Sequence, residues 1–406
     1  MCSKLIRFYM VLILTTILLC SCSQSTSISQ VSESSSTVMA NFEDKGTDYL
    51  VLKNCYLIDG TGAAPVHNAT ITIKDGLIKE IDTTGVKSTA KDATIIDLKG
   101  AAVLPGFINT HVHKAYDAKR LQKWLKSGVT TVRDLSPFNF GDFISEHDKL
   151  NSDLKNAHLL SANPILAPPG GYGSAKYSST EDAGNKALNY IQKGVDTVKF
   201  SIEDDCQGKR WPLPKYDEVK RIVDTAHANN KRTSVHITHS RNLKWAIDAG
   251  VDEIAHMVLE PLDNQTINKM VEKNIYWVPT MELWKNVSDI YGVKWIDTVK
   301  KNVLIFHDAG GKIALGTDYA GYSCSFDDGF PITEVSLMSE AGLSNMEIII
   351  AATKNAAFTC GISDKTGTLE VGKKADVFIV DGDPLIDIKV LKKAKMVIHE
   401  GKIIKE

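Results

Sequence analysis

The chain lacks an excess of charge of either sign. Its 47 Lys and Arg face 49 Asp and Glu over 406 residues, a formal net charge of −2. That balance gives no electrostatic footprint for nucleic acid. Twelve prolines exclude a proline-rich, low-complexity chain. Of seven cysteines, Cys2, Cys20 and Cys22 crowd the start, and Cys55, Cys206, Cys324 and Cys360 are widely spaced. No Cys-x-x-Cys pair exists, which excludes a zinc ribbon and a disulfide scaffold. One or two bridges remain open in an exported protein, with buried free thiols the commoner case. No phosphate-binding loop, dinucleotide fingerprint or nucleophile elbow is present.

What the chain does have is apolar content, 43%, enough for a large core. Its N-terminus reads as a targeting segment. Lys4 and Arg7 precede an apolar run, 9–19, too short for a comfortable membrane span. Leu19-Cys20-Ser21-Cys22 then resembles a bacterial lipobox, with Cys22 as the lipidated residue. The expectation is a signal peptide over 1–22 and an exported bacterial lipoprotein, held to the outer membrane or cell surface by its N-terminal lipid. An ordinary cleaved signal or a single anchor helix would share this pattern. Residues 23–48 are rich in Ser and Thr and read as a flexible tether. The sequons at Asn68, Asn264 and Asn286 carry little meaning in such a protein.

Two distant segments, 49–104 and 360–406, share a strand-and-turn texture with Asp-Gly turns at Asp59-Gly60, Asp75-Gly76 and Asp381-Gly382. They suggest one composite β-sandwich built from both ends. Between them, over 105–359, short apolar runs alternate with amphipathic stretches such as 216–227. This is the α/β pattern of βα units. Eight strands are expected, at 101–108, 129–135, 158–166, 197–202, 232–237, 253–257, 275–280 and 312–317, forming a (β/α)8 TIM barrel with its site at the C-terminal strand ends.

The first of these strands leads through Pro105-Gly106-Phe107-Ile108-Asn109-Thr110 into His111-Val112-His113. On a strand, residues i and i+2 share a face, so two imidazoles converge as half of a metal site. Other strand ends carry Lys199, His236, His256 and Asp318. This set, in this order, resembles the binuclear centres of the amidohydrolase superfamily. The resemblance implies His111, His113 and Asp318 on one divalent ion and His236 and His256 on another. Lys199 would bridge them as a carbamate formed with carbon dioxide. Two such ions share a water and lower its pKa to give a hydroxide nucleophile. Asp318 would carry its proton to the leaving group. Imidazole-rich ligation favours zinc.

Gly128-Val129-Thr130-Thr131-Val132-Arg133-Asp134, Ala351-Ala352-Thr353-Lys354-Asn355-Ala356-Ala357 and the closing Gly367-Thr368-Leu369-Glu370-Val371-Gly372 look like the imidazolonepropionase-related branch, which includes Xaa-Arg and Xaa-Pro dipeptidases. Deaminase members place a glutamate soon after the strand-five histidine; residues 237–242 hold none, which points to acyl-bond hydrolysis. Dipeptidase relatives place Tyr or His two residues after that ligand to polarise the substrate carbonyl. Here Thr238 stands there and His239 follows, so His239 is the candidate for that role, or a residue of the shell behind the ligands. Tyr172, in Gly170-Gly171-Tyr172-Gly173, is the candidate for lining the substrate pocket; the alternative is a surface-loop tyrosine. Asp134 is read either as part of the site or as an anchor for Arg133. The expected function is hydrolysis of an amide bond in a small molecule, a dipeptide or N-acyl amino acid, with homo-oligomers allowed. Lactone, phosphotriester or cyclic-amide hydrolysis, a single-ion centre, or a non-catalytic metal-loaded binding lipoprotein are the alternatives.

Overall fold

The computed structural model describes residues 49–84, 92–137, 143–206, 208–256 and 258–405. The signal segment with Cys22, the tether and Met257 lie outside them. Among the described residues no helix is long and apolar enough to cross a membrane.

Both ends of the chain build one sheet. Five strands come from the N-terminal side, Tyr49–Leu57, Val66–Lys74, Leu77–Asp82, Thr94–Asp97 and Ala102–Pro105. Three come from the C-terminal side, Val377–Val380, Ala394–His399 and Lys402–Lys405. The seam is the antiparallel pair Ala102–Pro105 with Val377–Val380, where Val377 faces Pro105 and Val380 faces Ala102. Where the sequence suggests a sandwich, the hydrogen bonds join all eight strands into one sheet. Alternation assigns its faces. Val103, Val377 and Ile379 pack into the sheet's own apolar cluster, while Ala102, Leu104, Phe378 and Val380 join the core of the α/β region. Phe378 stands edge-on to Phe107, ring centroids 5.6 Å apart. It also lies over Gly128, where a Cβ would come within 2.5 Å of the ring.

The α/β region is of the TIM-barrel type. Its first strand, Phe107–Val112, begins after a break at Gly106, so the expected strand 101–108 is in fact two, one in each sheet. Parallel pairing continues through Val129–Asp134 and His158–Ser161. A bridge from Ala162 to Thr197 leads on to Thr197–Ser201. Arg232–His236, Glu253–Ala255, Tyr276–Val278 and Lys312–Ile313 follow in order. The segment after the last strand returns to the first: Thr110 N donates to Leu315 O (3.0 Å) and Asp318 N to His111 O (2.8 Å). The third and eighth strands are shorter than the sequence suggests. The third ends before Asn163, whose side chain turns to the neighbouring strand. In the eighth, ladder pairing stops at Ile313 and the backbone reaches a left-handed Asp318, φ +60°.

Helices cover the strands as their periodicity requires. In Tyr216–Ala228, Val219, Ile222, Val223 and Ala226 are buried, the i, i+3, i+4, i+7 stripe of an amphipathic helix. Glu218 accepts from Lys215 N at the helix start. The strand interior holds a buried ion pair, Arg133 Nη2 to Glu253 Oε2 at 2.5 Å. Arg133 also donates to the carbonyls of Thr110 and Thr359. Its partner is therefore Glu253. Adjacent residues on a strand point to opposite faces, so Asp134 cannot share that position. The four described cysteines are all free thiols.

Candidate metal centre

The C-terminal strand ends bring His111, His113, Lys199, His236, His256 and Asp318 into one buried cluster. His111 Nε2 and His113 Nε2 lie 3.0 and 2.9 Å from the same oxygen, Asp318 Oδ1. Ring centroids step from His111 to His256 at 4.7 Å and from His256 to His236 at 4.4 Å. Asn109 fixes the first group: its Oδ1 accepts from the amides of His111 and Thr317, and its Nδ2 donates to Thr317 Oγ1. Asn163 fixes Lys199 in the same way, accepting from its amide and donating to its carbonyl, both at 2.8 Å.

The backbone is strained here. His256, Thr280 and Asp318 have φ of +74°, +49° and +60°, left-handed conformations that cost about 1–3 kcal/mol each for non-glycine residues and gather at functional sites. Close glycines make room. A Cβ at Gly321 would fall against both carboxylate oxygens of Asp318, and one at Gly316 would lie 2.8 Å from His111 Cβ.

A divalent cation fits the donors. Both nitrogens of His111 and Oδ1 of Asp318 are buried without a hydrogen-bond partner among the described residues. Such orphans are costly unless something binds them. Ligands about 2.0–2.1 Å from a tetrahedral zinc lie about 3.3 Å from one another, close to the spacing around Asp318 Oδ1. The protonation states suit ligation. Burial, helped by the charge of Lys199, drives His111 down to about 3. Burial likewise drives His256 well below its ordinary value. Burial alone would raise Asp318, but the flanking imidazoles outweigh it and hold the carboxylate ionised. Burial also brings Lys199, 1% exposed, down to about 7.

Behind the candidate ligands stand residues placed to orient them. His113 Nδ1 faces Asp134 Oδ1 at 3.9 Å, and Asp134 accepts from the amides of Ala115 and Ser136. His256 Nδ1 lies 3.1 Å from Thr280 Oγ1. His236 Nε2 lies 3.3 Å from Glu203 Oε2. The nitrogens left for a metal are then Nε2 of His113 and His256 and Nδ1 of His236. Lys199 Nζ lies 3.5 Å from Ser234 Oγ, which donates to Glu253 Oε1, the partner of Arg133.

Glu203 and Thr280 are absent from the set expected from sequence. Glu203, Cys206 and His236 bring donor atoms within 4.8 Å of one another. Glu203 is nonetheless an acceptor rather than a ligand. Oε1 takes the amides of Asp204 and Asp205, and Oε2 takes the amide and hydroxyl of Thr238, so both oxygens are already engaged. Burial would raise its pKa, but His236 and these donors bring it to about 2.

His239 is not brought to the cluster. Its Nδ1 pairs with Glu260 and its Nε2 with the carbonyl of Asp205 (2.8 Å), so neither nitrogen is left for a substrate carbonyl. It ties the start of the helix Ser240–Ala249 to neighbouring loops. Tyr172 is brought in: its ring stacks on His236, centroids 4.3 Å apart and planes 25° from parallel. Trp211 meets Tyr172 edge-on at 5.4 Å.

Comparison with known proteins shows the family. The Amidohydrolase family profile matches residues 102–404. Ochratoxinase of Aspergillus niger is 31% identical over 413 residues, covering 85% of this chain and 84% of that protein. An imidazolonepropionase of Brucella anthropi is 24% identical over 377 residues, covering 79% and 88%. Among solved structures, a Xaa-Pro dipeptidase with methionine in its active site superposes with a TM-score of 0.78 at 25% identity, over 88% of this chain and all of that one. The chain belongs to the amidohydrolase family, as an enzyme of its carbon–nitrogen-bond hydrolases with imidazolonepropionase and Xaa-Pro dipeptidase homologues.

Proposed function

We propose that this enzyme hydrolyses the amide bond of a small molecule, a dipeptide or an N-acyl amino acid, with two divalent ions, zinc by ligand type. The reading rests chiefly on one observation, the approach of two imidazole nitrogens to a single Asp318 oxygen with no hydrogen bond between His111 and that oxygen. His111, His113 and Asp318 would hold one ion, His236 and His256 the other. Lys199 Nζ, as the neutral amine, would add carbon dioxide and lose one proton, becoming an anionic carbamate between them. The return of residues 314–318 to the first strand supports a closed eight-stranded ring beneath these ligands.

Bound there, the ions would lower the pKa of a water and polarise the scissile carbonyl. Asp318, kept ionised, takes the proton of the attacking water on its carboxylate and delivers it to the leaving amine nitrogen. His111 and His256, kept neutral by burial, stay available as ligands throughout. Glu203 is the carboxylate beside His236, and its four donors leave it no part in moving a proton as a deaminase glutamate would. The Xaa-Pro dipeptidase relative supports a dipeptide substrate. The N-terminal pattern supports export and a lipid on Cys22.

The test is a screen of the fragment starting at Ser23, supplied with zinc and bicarbonate, against dipeptides, N-acyl amino acids, lactones and phosphotriesters. Amine release from one side-chain class is the expected result. Acid release from lactones or phosphotriesters alone would move the function to ester chemistry.

A further inference from the structure

We propose that Tyr172 donates its phenolic hydrogen to the substrate's carbonyl oxygen as that oxygen becomes the tetrahedral oxyanion; the role rests on the amide-hydrolase reading above. Acyl transfer gains most from neutral donors fixed in advance where negative charge develops. The first places to seek one are the hydroxyls and ring N–H groups around the cluster, and nearly all are engaged. Thr238 Oγ1 donates to Glu203 at 2.6 Å. Both nitrogens of His239 are taken. Ser234 Oγ donates to Glu253, and Thr280 Oγ1 meets His256. Tyr116 Oη donates to Ser161 Oγ. Trp284 Nε1 is buried and has no partner among the described residues, and its ring meets His256 edge-on at 6.4 Å, farther than the 4.3 Å stack of Tyr172 on His236.

Tyr172 differs on each count. It is only partly buried, and no hydrogen bond engages its hydroxyl among the described residues. Its ring lies flat on His236, a ligand of the proposed second ion. Trp211 supports its edge, and Ser201 Oγ holds its backbone carbonyl. Gly173 turns the loop tightly beside it, with φ +144° and a Cβ position that would meet Ile165. The ring is therefore fixed before substrate arrives, flat against the imidazole of a proposed ligand and with its hydroxyl unengaged among the described residues. The phenol is neutral, so it can strengthen its hydrogen bond as the oxygen gains charge without competing for a metal.

Tyr172→Phe tests this, because it removes the hydroxyl and keeps the stacked ring. The full chain, loaded with zinc and bicarbonate, would be titrated calorimetrically with methylphosphonate, a tetrahedral anion, and with acetate, its planar counterpart. Turnover of 4-nitrophenyl acetate would be followed beside it, with metal content measured in every sample. The expected result is methylphosphonate affinity down about 10- to 100-fold, from a lost hydrogen bond to a charged group, with acetate affinity and metal content unchanged. The kcat should fall about 10²- to 10³-fold, as for an oxyanion donor, at constant KM. Unchanged methylphosphonate affinity and kcat would overturn the role, as would a rise in KM alone, which marks a mere pocket wall. Wild-type protein that takes up no metal would instead overturn the reading of the whole site, and this role with it.

Discussion

Glu203→Gln is a sharp perturbation of the metal centre, because it changes one charge without changing shape. In the native protein four donors converge on this carboxylate, the amides of Asp204, Asp205 and Thr238 at 3.0, 3.0 and 3.1 Å and the Thr238 hydroxyl at 2.6 Å. A glutamine must turn its NH2 toward one of these donor pairs. The hydrogen bonds lost there are charge-assisted, about 1.5–3 kcal/mol each, and a buried amide left unsatisfied costs about 1–3 kcal/mol. Two such bonds and one unsatisfied amide bring the local loss to roughly 4–9 kcal/mol before any relaxation, enough to loosen the 203–206 loop. His236 loses the partner that faces its Nε2 at 3.3 Å, and with it the preference for presenting Nδ1. Outer partners of this kind are worth about 10- to 100-fold in metal affinity. Zinc titration by calorimetry, with total metal measured after dialysis, should show the ion at His236 and His256 weakened by that factor. The ion at His111, His113 and Asp318 should keep its affinity. Two ions of unchanged affinity in the variant would refute the role assigned to Glu203.

Three further outcomes follow from the same geometry. Lys199→Ala should remove one of two bound ions and abolish any effect of bicarbonate on metal uptake; unchanged stoichiometry by elemental analysis would favour a single-ion centre. Gly321→Ala places a methyl against the Asp318 carboxylate; urea unfolding should show about 1–3 kcal/mol of lost stability from overpacking, with amine release nearly gone, and wild-type kinetics would contradict the crowding. Glu282 is raised to about 8, by burial first and then by Asp327 and Glu334. Its stabilising proton is fully held below about pH 4.5 and lost as pH rises toward 8, a slope of about 1.4 kcal/mol per pH unit from this group. Glu282→Gln should flatten the fall in urea midpoint between pH 5 and 8, and a parallel fall in the variant would refute it.

Much of the candidate site was readable because its candidate donor residues are written locally. His111 and His113 obey the period of a strand, and Lys199, His236, His256 and Asp318 each interrupt or follow an apolar strand-like run. Helix faces such as 216–227 were equally plain, since one stripe of apolar residues decides them. What was not readable depends on partners far away in the chain. Glu203-Asp204-Asp205 looks like a solvated turn until Thr238, 35 residues on, covers it. His239 looks like a ligand-adjacent donor until Glu260 and the Asp205 carbonyl engage it. Arg133 finds Glu253 across 120 residues. The break at Gly106 and the early end of the eighth strand are backbone events: an apolar run continues through both while the pairing changes.

The central claim, that this cluster is a two-ion hydrolytic centre, is tested most directly by metal removal and return. Protein freed of metal by a chelator should release no amine from the substrate identified by the screen. Zinc added with bicarbonate should restore turnover in proportion to occupancy, reaching its maximum at two ions per chain. Full turnover by the metal-free protein, or a maximum with no ion bound at His111, His113 and Asp318, would contradict it.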